Sequence, residues 1–325
     1  INRTLTIKAE VPGAVVLDAM NERRVFTVQS GGTAELIGLN ITGGRTGWSG
    51  AGVYVAEGGD AMLVDSNVYQ NEASKWGGGL HIEGTAALTK VNVYANRAEQ
   101  RGAGVCVIGS GQATLADSNV YQNEVSEFGG GVFIRGTAAL TNVNVYANRA
   151  KHGGGLRIQS TEAVANLESC NVYSNTATKR GGGLFIQNSM NVALTNSNVH
   201  ENHADEAGGI EVRLDSGADL INCTISSNTA GLSSTAALRV EGGRLRLGNG
   251  TRFANNSFRI QAAEVIYVLP APPGHYTNGR KCEVVYTPCP SKDDCPDGCT
   301  QNKSLIPLAT SSNCTQRPYN IQSCP

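Results

Sequence analysis

The amino-acid sequence predicts an all-β solenoid: a parallel β-helix over residues 1–266, then a small Cys-rich disulfide module over residues 267–325. Three observations carry this. The stretch Asp65–Leu80, DSNVYQNEASKWGGGL, returns almost letter for letter as Asp117–Val132, DSNVYQNEVSEFGGGV. The asparagine closing each NVYxN-like phrase recurs at Asn71, Asn96, Asn123, Asn148, Asn175, Asn202, Asn228 and Asn256, at intervals of 25 to 28 residues. Between Gly and Asn turns, Val, Ile, Leu, Tyr and Thr alternate with polar residues, and no stretch has helical periodicity.

A period near 26 residues is too short for helix-pair repeats, which need about 33 or more. It suits a coil of three short strands and three turns, wound about nine or ten times, with same-slot residues about 4.8 Å apart. Alternation then assigns faces. Val68, Val93, Val120, Val145, Val172, Val199 and Ile225 form an inward aliphatic column. In the glycine phrase Leu80 and Ile82 point in and His81 out, a pattern repeated by Val132, Ile134 and Phe133. Cys170 and Cys223 take an inward slot two coils apart, about 9–10 Å by strand spacing. That is too far for a disulfide, so they read as buried free thiols. The turn asparagines suit left-handed φ, bonds to nearby backbone and stacking along the coil axis. The glycines supply positive φ or close backbone approach between coils.

Composition narrows the function. Net charge is −1, with 26 Lys+Arg against 27 Asp+Glu, which gives no footprint for nucleic acid. No apolar run reaches membrane-spanning length. Of nine cysteines, Cys282, Cys289, Cys295, Cys299, Cys314 and Cys324 crowd the last segment and read as a disulfide framework, with zinc the weaker reading. Oxidised cysteines imply an extracellular or secretory compartment. Seven sequons agree with it, at Asn2, Asn40, Asn222, Asn249, Asn255, Asn302 and Asn313. Opening on Ile1 inside a strand-like phrase suggests that a leader precedes this chain. Pro270, Pro272 and Pro273 mark the end of the repeats, and the module beyond is expected to cap the last coil or dock a neighbouring unit.

The paired phrases Phe253-Ala254-Asn255-Asn256, Ile225-Ser226-Ser227-Asn228 and Gly77-Gly78-Gly79-Leu80 resemble the repeats of polymorphic outer-membrane-type β-helices. With VVLDA (Val15–Ala19), Arg23–Gly44 and VLPAPPGHY (Val268–Tyr276), the chain is more similar to secreted right-handed β-helix repeat proteins of microalgae and other protists. The resemblance implies a right-handed coil and a place at cell surfaces, in adhesion or in extracellular filaments.

Catalysis on this scaffold needs convergent ionisable groups, such as two carboxylates about 5–10 Å apart. Asp65 and Asp117 instead occupy equivalent repeat slots. The densest acidic group, Asp205, Asp215 and Asp219 with Glu201, Glu206 and Glu211, reads as a solvated face ahead of a cation site. His81, His152, His200, His203 and His275 are dispersed and read as surface residues. Calcium nonapeptides are absent, and no cofactor is expected.

On the outside, Tyr69, Tyr94, Tyr121, Tyr146 and Tyr173 are expected to stack, beside a row of asparagines from Asn67 to Asn198. The rings either cover the coil and one another or form a lateral interface. No sequon falls between Gly43 and Ile221, which favours contact. Cys106 takes an outward slot; an exposed odd thiol suggests intermolecular pairing, with a buried edge or a bridge to another segment as equal alternatives. The expectation is a non-catalytic extracellular structural or adhesion glycoprotein, for instance a subunit of a cell-surface filament. Its partners would be further copies, other extracellular structural proteins or glycans. The alternative is a carbohydrate-binding or polysaccharide-modifying, pectate-lyase-like β-helix.

Overall fold

The computed structural model describes residues 1–231 and 238–256, and the backbone of strands Ile260–Ala262, Val265–Tyr267, Val284–Pro288 and Tyr319–Ser323. The last two pair in parallel. The proline linker, the six cysteines of the C-terminal segment, His275, Asn302 and Asn313 lie outside the described residues.

The chain winds as a parallel solenoid of about nine turns. Three long sheets of 11, 10 and 10 strands run its length. One coil shows the order. Asp60–Val64 lies in the first sheet and Asn67–Tyr69 in the second. The two-residue strand Glu72–Ala73 follows, and Leu80–Ile82 closes the coil in the third sheet. The two-residue strands build a fourth sheet of eight members, which the three-strand reading of the repeat lacks. All ladders are parallel, and those of the three long sheets stay in register; Val93, for example, faces Val68 below and Val120 above. The fourth sheet shifts register between Ala150 and His152 and between Ala177 and Arg180.

The core follows from alternation. Ala61, Leu63, Val68, Leu80 and Ile82 of one coil are buried, and their equivalents in the next coils stack on them. Ser66, Ser118, Cys170, Ser197 and Cys223 share an inward corner. There each side chain donates to the carbonyl two residues earlier, as Ser66 Oγ does to Val64 O at 2.7 Å and Cys170 Sγ to Glu168 O at 3.3 Å. Cys170 and Cys223 are free and buried, so a thiol here replaces a hydroxyl without changing the corner.

The buried turn asparagines form one ladder. Asn71 Nδ2 donates to Asn96 Oδ1 at 3.0 Å, and the pattern continues unbroken through Asn123, Asn148, Asn175, Asn202 and Asn228 to Asn256. Left-handed φ falls elsewhere than expected. The residue before each ladder asparagine takes it, as in Gln70, Ala95, Gln122, Ala147, Ser174 and Glu201. A second series falls at Asp65, Lys90, Asp117, Asn142, Ser169 and Asn196. The ladder asparagines keep ordinary φ because the preceding residue makes the corner and leaves their amides aimed along the axis. Gly79 lies against this ladder: a Cβ there would sit 2.6 Å from Gly104 O and 2.9 Å from Asn96 Nδ2.

Candidate functional site

Two surfaces differ from a plain solenoid wall. The first is the outward face of the second sheet. Tyr69, Tyr94, Tyr121, Tyr146 and Tyr173 stack with ring centroids 4.8–5.0 Å apart and planes within 3–8° of parallel. His200 continues the row against Tyr173 at 5.1 Å. Beside it runs an outer asparagine ladder, in which Asn67 Nδ2 donates to Asn40 Oδ1 at 2.8 Å and each following member to the one before, up to Asn198. Partial burial, reinforced by neighbouring phenols, raises the pKa of Tyr94, Tyr121 and Tyr146, so these rings are neutral. Both faces of these three rings are covered by adjacent tyrosines. Solvent meets ring edges and hydroxyls, so the flat face that a sugar would stack on is already occupied.

The second surface is a covered column on the outside of the third sheet. His81, Cys106, Phe133, Arg157, Phe185, Glu211 and Arg239 follow one another in register. Sequence alternation places them outward, and so they are, yet all except Arg239 are buried. The glycine turns explain it. At Gly102 (φ 53°) the chain folds back so tightly that an added Cβ would lie 2.9 Å from Cys106 Cβ; Gly77, Gly129 and Gly181 cover His81, Phe133 and Phe185 in the same way. Trp76, Arg101, Phe128 and His152, bridged in parallel immediately before Gly77, Gly102, Gly129 and Gly153, form the lid. Arg157 lies 3.9 Å from the Phe185 ring centroid and 5.5 Å from that of Phe128, and its Nη2 donates to Gln187 Oε1.

Three expectations are corrected here. Cys106 is free and fully buried, and burial holds its pKa well above the usual thiol range; it offers no exposed thiol for pairing between chains. His81 is a buried histidine, lowered in pKa by burial, with Nε2 3.2 Å from Glu83 Oε1. His152 lies in the lid, stacked on Phe128, and burial together with Arg157, Arg180 and Lys151 lowers its pKa to about 4. The acidic group is not one solvated face: Glu211 is fully buried, 3.6–3.9 Å from Arg213, Arg239 and Arg180. Burial raises its pKa to about 7 against those three arginines. Glu206 pairs with Arg180 at 3.1 Å and with Arg239. Burial opposes its ionisation, yet the arginines hold its pKa below the usual value. Glu201 and Asp215 remain exposed. Large apolar residues in the outward slot, Phe133 and Phe185, are the sequence signal that something covers it.

Among the described residues, no three His, Cys, Asp or Glu side chains are grouped to hold a metal ion, and no helix is long and apolar enough to cross a membrane. Of the sequons, Asn2, Asn222, Asn249 and Asn255 are exposed, while half-buried Asn40 heads the outer ladder and donates to Gly13 O at 2.7 Å.

A family model for the right-handed beta helix region matches residues 130–269. The solenoid is right-handed, with about 27 residues per turn. That family includes enzymes and non-enzymes. No curated protein and no solved structure matches the chain.

Proposed function

We propose that this chain is a non-catalytic structural or adhesion glycoprotein of an extracellular surface, acting as a rigid rod, with the subunit of a filament or appendage as its fullest form. The observation that supports this most is the direction in which polar and aromatic side chains spend their contacts. The inner asparagines, the outer asparagines and the tyrosines all bond or stack along the axis, coil to coil. A catalytic cleft breaks such symmetry, because its ionisable groups must converge on one point. Here the unusual ionisable groups, Arg157 and Glu211, are buried within the covered column, Arg157 beneath Gly129 and Gly153 and Glu211 among arginines. The exposed sequons at Asn2, Asn222, Asn249 and Asn255 suit a glycosylated, extracellular chain.

The carbohydrate-directed alternative is disfavoured at the tyrosine row, whose ring faces are covered. Trp48 is the better candidate for it, being 66% exposed with Lys75 Nζ 3.9 Å from its ring centroid.

The test is to secrete the full chain from a eukaryotic host, image it by electron microscopy and follow its sedimentation over a concentration series, while assaying a panel of polysaccharides for cleavage. Ordered polymers or concentration-dependent association without cleavage are expected. Polysaccharide cleavage by a chain that stays monomeric at every concentration overturns the proposal.

A further inference from the structure

Five phenols in mutual contact are a chemical feature as well as a packing one. Each of Tyr94, Tyr121 and Tyr146 has a tyrosine on both sides at 4.8–5.0 Å, with planes within 3–8° of parallel. The in-register ladder of the second sheet holds every ring opposite its equivalent in the next coil. The half-buried rings keep their edges and hydroxyls toward solvent.

We infer that the row Tyr69–Tyr94–Tyr121–Tyr146–Tyr173 is a site of oxidative cross-linking, at which hydrogen peroxide acting through a haem peroxidase joins the tyrosines of adjacent coils as dityrosine. Each of two neighbouring phenols gives up one electron and its hydroxyl proton, leaving a phenoxyl radical with spin on the ring carbons ortho to oxygen. The two radicals form one carbon–carbon bond between ortho carbons. Each joined carbon then releases its hydrogen and each oxygen regains a proton, restoring two phenols. The O–O bond of the peroxide breaks, and the two electrons and two protons leave with it as two waters. A radical formed anywhere in the row lies next to a second tyrosine, so coupling inside one chain outruns encounter with another. The product is a covalent staple between windings, closing a loop of one coil, which stabilises by restricting the unfolded chain. This chemistry belongs to the row and goes beyond the structural reading above; it stands or falls independently of that reading.

Adjacency, rather than the number of phenols, is the testable content. Tyr94→Phe with Tyr146→Phe leaves no two tyrosines of the row next to each other. Tyr69→Phe with Tyr173→Phe removes the same number and leaves three in contact. Phenylalanine keeps the stack in both. The full chain at low concentration is treated with a haem peroxidase and hydrogen peroxide, dityrosine fluorescence is recorded, and linked peptides are identified by mass spectrometry. The parent and the Tyr69/Tyr173 variant are expected to yield intrachain dityrosine between row tyrosines, and the Tyr94/Tyr146 variant to lose it. Equal yields from the two variants, coupling only between chains, or coupling only at tyrosines outside the row overturns the inference.

Discussion

Asn123 Oδ1 accepts both the backbone N–H of Asn96, at 3.1 Å, and its side-chain Nδ2, at 3.0 Å. Asn123 Nδ2 in turn donates to Val93 O at 2.9 Å and to Asn148 Oδ1 at 3.0 Å. One buried amide thus satisfies four groups in the two adjacent coils, and every coil corner depends on its neighbours.

Replacing Asn123 by Leu strands several of those groups without water. The loss is expected to be about 3 kcal/mol or more, since each buried unpaired group costs about 1–3 kcal/mol. Asn119→Ala on the half-buried outer ladder, where water replaces the lost bond, is expected to cost under about 1 kcal/mol. Urea denaturation midpoints of the two variants check the difference, and equal losses contradict it.

Ala147 holds a φ of 53° at a corner where a Cβ is unfavourable. Ala147→Gly relieves that strain and adds freedom to the unfolded chain. The balance is expected to be a gain of about 0.5–1 kcal/mol, read from the thermal midpoint.

Gly79→Ala places a Cβ 2.6 Å from Gly104 O and 2.9 Å from Asn96 Nδ2. Both neighbours are held by the ladder and cannot yield cheaply. A destabilisation of about 3 kcal/mol is expected, and an unchanged denaturation midpoint refutes it.

His152 is neutral in the fold, its pKa lowered from 6.5 to about 4, whereas the unfolded chain protonates it near 6.5. The unfolded state therefore binds more protons between these values, and stability is lost as pH falls through that window. Glu211, raised from 4.5 to about 7, acts with the opposite sign as pH falls from about 7 to 4.5. Subtracting the curve of His152→Phe, which keeps the ring contacts with Phe128 and Phe185, isolates the histidine. The variant is expected to lose less stability than the parent between pH 6.5 and 4. Parallel curves exclude the assignment.

Cys106, Cys170 and Cys223 are all buried, and burial raises the pKa of each. Native protein is expected to leave all three unalkylated by iodoacetamide, and denatured protein to expose them. Native labelling of Cys106, read by peptide mass spectrometry, contradicts its enclosure.

Most of the winding is legible in the sequence because hydrophobic alternation and a fixed repeat leave little choice. Val68, Val93 and Val120 stack as their spacing requires, and Asn96, Asn123 and Asn148 lie in contact. The fourth sheet and the lid are not legible in the same way. The linking stretch, SKW in one coil and SEF in another, varies in sequence and has too few residues for a period to appear. Alternation reports which way Cys106 and Glu211 point from their own strand. It carries no information about whether the chain then folds back over them, as the turn at Gly102 does. The corner at Ala95 and Ala147 escapes for another reason: alanine is a poor left-handed residue, and only the surrounding ladders hold it there.

The two asparagine ladders run with opposite polarity. Inside, each amide donates toward the C-terminal end, as Asn96 does to Asn123; outside, each donates toward the N-terminal end, as Asn119 does to Asn92. Their dipoles oppose one another, so a rod lengthened by whole windings accumulates little axial field from its amides. The near-duplicate that begins again at Asp117 could thus be inserted without an electrostatic penalty growing at either end.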